Sequence, residues 1–335
     1  MTEQRAAFAP RRSQIARVLM IAILVAVVSL LVGHFAEFKH FVALAREAQP
    51  VWLLVALALQ FGTYTSVALG WEAVLVRAGT PQPLRKLLLV AVSKLFADQA
   101  LPGAGLGGHV LLVDRLTTLG TPRGTAVAAL LLSLIGYYAS YAILAVVMLL
   151  VLWFHQDATP LLAGLVTTFL VVALTIPTLA LWLRYRGSRP LPPQVERFGP
   201  IRKLIAIIGE APSNLVGDRR LLRTVTLFSG LVFVLDAATL AACMLALGLP
   251  FTPGTAFLAL MAGSISATLA PIPLGLGSFE VASTAMLRSL DVPFEAALTA
   301  ILLLRGLTLW IPLVPSLFMM RRKAWRPELH KEDRP

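Results

Sequence analysis

The chain has 335 residues, of which 58% are hydrophobic and only 14% are charged, and its mean hydropathy is +0.80. A soluble domain carries about 25% charged residues, so the composition excludes a soluble globular protein and indicates a polytopic membrane protein. The net charge of +12 does not indicate nucleic-acid binding, because no recognition motif accompanies it and basic loops of membrane proteins face anionic lipid.

Apolar segments predict about six full transmembrane helices, each of which needs roughly 20 residues. In chain order these segments are residues 15–35, 51–76, 125–154, 161–183, 224–249 and 294–320. Two more apolar stretches, residues 87–113 and 254–290, are broken by proline and glycine. Broken backbone at membrane depth is tolerated only where protein or a water-filled cavity covers it. We therefore predict two re-entrant hairpins, and a single all-α transmembrane domain over residues 1–335.

The distribution of basic residues predicts that both termini lie in the cytoplasm. With both termini there, nearly all lysines and arginines fall in cytoplasmic segments, the longest of which is the basic loop 184–223. Only Lys39, Arg46 and Arg288 fall outside, and Lys94 and Arg305 stay within the membrane. This bias is the one that the positive-inside rule describes.

Residues 78–136 align with residues 247–307, which indicates an internal repeat. With the orientation above, one copy enters the membrane from the cytoplasm and the other from outside, so the copies are predicted to be inverted repeats. Such a layout is typical of alternating-access carriers. The aligned pairs are Pro81 with Pro250, Gly105 and Gly107 with Gly275 and Gly277, Pro122 with Pro293, Ala126 with Ala297, and Ala129 with Ala300.

Ionisable residues near the two breaks indicate a substrate site, because such residues are costly within a membrane and usually functional. Two structural alternatives stay open. Glu280 can stabilise a helix start while Arg305 neutralises Glu280 or Asp236, and Lys94 can neutralise Asp98 four residues away. The predicted substrate-binding residues are Pro271, Pro273, Gly275, Gly277, Glu280 and Arg305 around the second break, Lys94, Asp98, Gly105, Gly107, Gly108, His109 and Arg115 around the first, and Asp236.

The segment 271–280, followed by Ala296-Ala297, Arg305 and Pro312, resembles a motif of the lysylphosphatidylglycerol synthase transmembrane-region family, also called flippase-like. Residues 101–108 with 119–122 resemble its first motif, and the resemblance covers nearly the whole chain. It implies a bacterial inner-membrane protein that moves or handles lipid, such as aminoacylated phospholipid or isoprenoid-related lipid.

The chain departs from the family in two respects. Members often carry a basic residue shortly after the first glycine pair, where this chain has Val110, Leu111 and Leu112, and Arg115 is a candidate substitute. The family's synthase activity belongs to a large soluble domain. The longest polar segment here is residues 184–223, so we expect that domain to be absent.

The favoured function is a lipid translocase, in which the second break, Arg305 and Lys94 bind an anionic headgroup while the acyl chains stay in the bilayer. The alternatives are a membrane-embedded enzyme that modifies a lipid headgroup, with Glu280 or Asp236 as acid or base, and a scaffold subunit of a lipid-biosynthesis system. No Walker sequence or Gly-x-Ser-x-Gly elbow is present, so an ATP-driven pump is not expected.

The predicted lipid function also determines which partners are expected. The expected partners are membrane lipids, anionic or isoprenoid-related, and a homo-oligomer or a lipid-synthesis partner stays open. The histidines are scattered and the single cysteine, Cys243, lies in an apolar segment. We therefore expect no metal, no cofactor and no disulfide.

Overall fold

A computed structural model of the protein describes residues 48–100, 106–154, 160–186, 209–270 and 275–310. Within these ranges the regular elements are helices, with no strand, so the all-α prediction is confirmed. The predicted span 15–35 and most of the basic loop 184–223 lie outside them. The helices are α1 (Pro50–Arg77), α2 (Leu84–Ala100), α3 (Leu106–Thr118), α4 (Arg123–Phe154), α5 (Pro160–Arg186), α6 (Ser213–Val216), α7 (Arg219–Ala246), α8 (Pro253–Leu269), α9 (Ser278–Ser289) and α10 (Phe294–Arg305), the last followed by a π-helical segment, Gly306–Trp310.

Three described helices, α1, α4 and α7, are long and apolar enough to cross a membrane. They coincide with the predicted spans 51–76, 125–154 and 224–249. A helix of 28 residues, such as α1, is about 42 Å long at 1.5 Å per residue, and the hydrocarbon core is only ~30 Å thick. The protein is therefore a multi-pass membrane protein, and the total of six spans stays a prediction.

The two broken stretches form pairs of short helices that pack side by side, α2 with α3 and α8 with α9. Helices α2 and α8 have 17 residues each, α3 has 13 and α9 has 12. Each is shorter than the roughly 20 residues that cross a bilayer. The lengths agree with the predicted hairpins, and their re-entrant character stays a prediction.

Helices α1 to α4 and helices α7 to α10 follow the same plan. Helices α1 and α7 both have 28 residues, and two residues after each lies a glycine with positive φ, Gly79 at 75° and Gly248 at 67°. The turns before α4 and α10 also match, with Gly120 at 90° and Asp291 at 63°. The structural likeness therefore begins at α1 and α7, upstream of the aligned ranges 78–136 and 247–307.

Helices α1 and α7 form the most extensive helix pair in the described bundle, and they run antiparallel. At one end, the amide of Gln49 donates to the carbonyl of Ala246 over 2.7 Å. At the other end, Arg77 Nε lies 2.8 Å from Asp218 Oδ2. Helices α1 and α7 directly precede the two predicted copies, so their antiparallel arrangement agrees with inverted repeats. The repeat itself stays a prediction.

Asp218 also caps α7, since its Oδ1 accepts from the amides of Arg220 and Leu221 at 2.9 and 3.2 Å. The Arg77 guanidinium, helped by these amides, lowers the pKa of the Asp218 carboxyl below its ordinary value. The link between the ends of α1 and α7 is therefore fully present above that ordinary pKa. It is lost as the pH falls through the lowered one.

Two apolar clusters fill the bundle. One surrounds Trp71 and Leu112, near the Arg77–Asp218 link, and includes the start of α7. The other surrounds Tyr141 and Leu240, and includes α8, α9 and α10. Helices α1 and α7 approach each other closely, since a Cβ added to Gly62 of α1 would lie 3.3 Å from Leu235 Cδ1 of α7. Small residues are the usual means of close packing between membrane helices.

The relation between the copies can be tested with a matched pair of cysteine variants. Thr118 and Ser289 are exposed, end α3 and α9, and occupy equivalent places in the two copies. In a Cys243→Ser background, an impermeant thiol reagent added to spheroplasts should label Ser289→Cys. Thr118→Cys should react only after the membrane is opened. Labelling of both from one side would contradict the inversion, and the reverse pattern would contradict the charge-based orientation.

Candidate functional site

A cavity of about 500 Å³ lies between the two apolar clusters. Helices α1 to α4 and α7 to α10 all contribute to its wall, together with Thr308 of the π-helical segment. Its size is within the range of roughly 300–1,000 Å³ that is common for small-molecule pockets. Charged and polar side chains reach it from different helices: Lys94 from α2, His109 from α3, Asp236 from α7 and Arg305 from α10.

Equivalent positions of the two predicted copies line this one cavity, so both copies contribute to its wall in the same way. The pairs share the sequence offsets of the aligned helices and all belong to the lining. They are Gln60 and Ser229, Thr63 and Val232, Val67 and Asp236, Ser133 and Leu304, Leu134 and Arg305, and Tyr137 and Thr308. The two copies differ in chemistry, because Arg305 and Asp236 correspond to Leu134 and Val67.

Arg305 forms a short ion pair with Glu280, the charged residue that follows the second break. Arg305 Nε lies 2.6 Å from Glu280 Oε1, and the two side chains are only 12% and 16% exposed. Glu280 Oε2 accepts from the amide of Gly277 over 2.7 Å. The Arg305 guanidinium also lies over the ring of Phe279, 4.7 Å from its centroid. One carboxylate therefore joins α10 to the start of α9, and an aromatic face orients the cation.

Asp236 lies near the middle of α7 and accepts a hydrogen bond from Thr63 of α1. The distance from Thr63 Oγ1 to Asp236 Oδ1 is 3.1 Å. Thr63 Oγ1 also lies 3.4 Å from the carbonyl oxygen of Leu59. A polar bond thus crosses the α1–α7 interface where both helices border the cavity.

The sequence model described as "Lysylphosphatidylglycerol synthase TM region" matches residues 15–316. The chain belongs to the lysylphosphatidylglycerol synthase transmembrane-region family. No curated protein matches it. The match includes both helix pairs and every helix that borders the cavity. Members of this family are membrane domains linked to lipid modification or transport. The predicted membership in this family is confirmed. The family match assigns no role to any single cavity residue, so these roles stay predictions.

The glycines of the second motif of this family member serve different purposes. Gly275 and Gly277 both have positive φ, 61° and 84°. A Cβ added to Gly275 would overlap the Cβ of Ala267 in α8, whereas one added to Gly277 would meet nothing within 4 Å. Gly275 therefore lets the chain approach α8 closely, while Gly277 supplies only a backbone conformation that L-residues rarely adopt.

A pair of alanine substitutions separates these two purposes. Gly277→Ala should lower the free energy of unfolding by about 1 kcal/mol through strain in φ. Gly275→Ala adds a steric overlap to the same strain and should lower it by about 3 kcal/mol. Thermal unfolding in detergent provides the measurement. Equal losses for the two variants would contradict the close approach at Ala267.

The structure brings together some of the predicted substrate residues of this family member and not others. Lys94, His109, Asp236 and Arg305 line one cavity, and Glu280 reaches it through Arg305. Arg115 lies in the last turn of α3 and is absent from the residues that line the cavity, so its role stays a prediction.

The other predicted residues fall near the cavity or outside the described chain. Gly275 and Gly277 precede α9, and Gly107 and Gly108 lie in the first turn of α3. Gly105, Pro271, Pro273 and the side chain of Asp98 lie outside the described parts, so their roles stay predictions.

Sequence reasoning missed three features of this site. Phe279 was treated as part of a motif, yet it stacks on Arg305. Thr63 gave no signal, because its partner Asp236 is far away in sequence. Gly263 lies inside α8, where a Cβ would overlap Ser283 Oγ and approach Phe279 of α9. A glycine within a helical pattern signals such an approach, and Gly263 could have been found in this way.

Proposed function

We propose that this family member is a lipid translocase of the bacterial inner membrane, with both termini in the cytoplasm, and that it carries an anionic or isoprenoid-linked lipid. The observation that carries the proposal is one cavity, with charged and polar side chains among apolar ones, to which α1 to α4 and α7 to α10 both contribute. The first helices of these two segments, α1 and α7, run antiparallel. A site at such a junction becomes accessible from either side when one copy moves against the other.

The charges on the cavity wall suit a phosphate headgroup. Arg305 and Lys94 are cationic, and His109 adds a further nitrogen donor. Guanidinium binds phosphate through paired hydrogen bonds, whereas ammonium acts as a point charge. A volume of about 500 Å³ suits a headgroup rather than a complete lipid, so the acyl chains would remain in the bilayer.

The test is lipid movement in reconstituted vesicles. Protein in vesicles that contain fluorescent phosphatidylglycerol should increase the fraction of dye reduced by external dithionite, and an Arg305→Ala variant should not. Mass spectrometry of lipids that co-purify with the protein identifies the natural substrate class. Dye reduction no faster than in protein-free vesicles, with no lipid enriched, would refute the translocase.

A headgroup-modifying enzyme is the second candidate, and one observation favours it. Asp236 and His109 line the same cavity, although the sequence spacing gave no reason to expect a shared acid and base. In that case a lipid incubated with the protein would return with a changed mass. If every added lipid is recovered with its mass unchanged, and the fluorescent lipid still moves across the vesicle bilayer, the result favours the carrier.

A further inference from the structure

The Thr63–Asp236 hydrogen bond breaks the symmetry of the α1–α7 interface. The alignment of α1 with α7 relates this pair to Val232 and Val67, and all four residues line the cavity. At the equivalent positions the chain therefore has two valines in place of threonine and aspartate. Packing of α1 against α7 does not require an acid, so the carboxylate at position 236 has another purpose.

No described residue forms an ion pair with Asp236. Helix α8, which packs against α7, carries no titratable side chain. The described ion pair of Arg305 is with Glu280. A carboxylate within a membrane-spanning helix is costly unless a cation neutralises it. The titratable and charged groups that face Asp236 or share its cavity are Tyr64 on α1, Tyr137 and Tyr138 on α4, Arg305 on α10, Lys94 on α2 and His109 on α3.

We propose that Asp236 is a proton-binding site that couples lipid movement to the proton gradient across the membrane. The step is a simple transfer: a hydronium ion from the solution on one side of the membrane gives one proton to the Asp236 carboxylate, which leaves water and a neutral carboxylic acid. The reverse step returns the proton to water. Because the negative charge appears and disappears beside the headgroup cavity, protonation changes how strongly the cavity attracts an anion.

Thr63 can serve Asp236 in both protonation states. Its single hydroxyl hydrogen has two acceptors within reach, Asp236 Oδ1 at 3.1 Å and the Leu59 carbonyl oxygen at 3.4 Å. When Asp236 is ionised, Thr63 donates to the carboxylate. When Asp236 is protonated, the new O–H group donates to Thr63 Oγ1, and the Thr63 hydrogen turns to Leu59. Both states are hydrogen-bonded, so the proton can enter and leave without leaving a buried polar group unpaired.

The coupling rests on the proposed translocase function, but proton binding can be measured without any transport. Infrared difference spectra of the reconstituted protein, recorded as the pH is changed, should show the carbonyl stretch of a carboxylic acid. Asp236→Asn should lose that band. The matched control is Val67→Thr, which alters the equivalent place in the other copy and should keep it. An unchanged band in Asp236→Asn, in protein that still elutes as a folded species, would overturn the proton site.

The same proton site should govern the response to a gradient. In vesicles with fluorescent phosphatidylglycerol, an imposed pH difference should accelerate lipid movement by the wild-type protein. The symmetrised variant, Thr63→Val with Asp236→Val, should fold and lose this response. An equal response in both proteins would overturn the coupling. If the wild-type protein moves no lipid at all, the translocase fails, while the infrared result still decides whether Asp236 binds a proton.

Discussion

Replacing Glu280 by glutamine should tighten the binding of anionic lipid, whereas replacing Arg305 by alanine should abolish it. Glu280 contacts the guanidinium at 2.6 Å and competes with a phosphate for the same cation. Hydrogen bonds to a charged group contribute about 1.5–3 kcal/mol, so the dissociation constant for the lipid should change by roughly tenfold to a hundredfold. Phosphatidylglycerol that co-purifies with each variant, measured by mass spectrometry, gives the comparison.

Stability should follow a different pattern from lipid binding. Replacing either Arg305 or Glu280 leaves the other charge largely buried and without its partner. This should lower the free energy of unfolding by about 3 kcal/mol, the smaller value for a broken buried ion pair. The double variant Arg305→Ala with Glu280→Ala should recover much of that stability, since both charges are gone. It should not recover lipid. Full recovery of both quantities would mean that Arg305 only neutralises Glu280.

Arg305→Lys provides the matched control, because it keeps the positive charge and loses the planar guanidinium. We expect a folded protein that retains less lipid than the wild type, since ammonium cannot bind phosphate through paired hydrogen bonds. Lipid retention equal to that of wild type would show that charge alone is sufficient.

Gly263→Ala should destabilise the α8–α9 pair and displace Phe279 from Arg305. A Cβ at position 263 would overlap Ser283 Oγ and lie 3.0 Å from Phe279 Cδ2 and from the Phe279 carbonyl oxygen. Overpacking of a tight interface costs about 1–3 kcal/mol. The variant should therefore unfold at a lower temperature in detergent and retain less anionic lipid.

A second substitution tests this cause directly. Ser283 is buried, and its hydroxyl forms no hydrogen bond with a described residue, so Ser283→Ala alone should cost little. Combined with Gly263→Ala, it removes the overlapping atom and should restore most of the stability. The control is Gly164→Ala in α5, where a Cβ meets nothing within 4 Å and alanine favours the helix by about 1 kcal/mol. A Gly263→Ala variant as stable as this control would contradict the steric argument.

Composition and hydropathy predicted much of the fold, because a membrane-spanning helix is recognisable from its own run of apolar residues. The predicted spans 51–76, 125–154 and 224–249 coincide with α1, α4 and α7. Proline and glycine marked both helix pairs for the same reason, since they interrupt a helix whatever surrounds it. The repeat was detected only from residue 78 onward. Helices α1 and α7 share length, packing and end geometry, and few identical residues, so alignment did not reveal them.

The sequence could not determine which side chains on different helices of the bundle contact each other. The sequence left open whether Arg305 pairs with Glu280 or with Asp236. Spacing along separate helices does not determine which charged side chains meet. The structure places Arg305 against Glu280 and Asp236 against Thr63. The overlap that a Cβ at Gly263 would cause involves side chains of α9. It therefore becomes visible only when the packing of α8 against α9 is known.

The antiparallel arrangement of α1 and α7 has a consequence for biosynthesis. Helices α1 and α7 have the same length but must enter the membrane in opposite directions as the chain is made. Helix length therefore cannot tell the insertion machinery which direction each helix takes. The charges beside them differ: residues 77–86 carry Arg77, Arg85 and Lys86, and the equivalent residues 246–255 carry no lysine or arginine. Basic residues are retained on the side of synthesis. Moving these charges from one loop to the other would therefore disturb insertion before any packing between the halves could form.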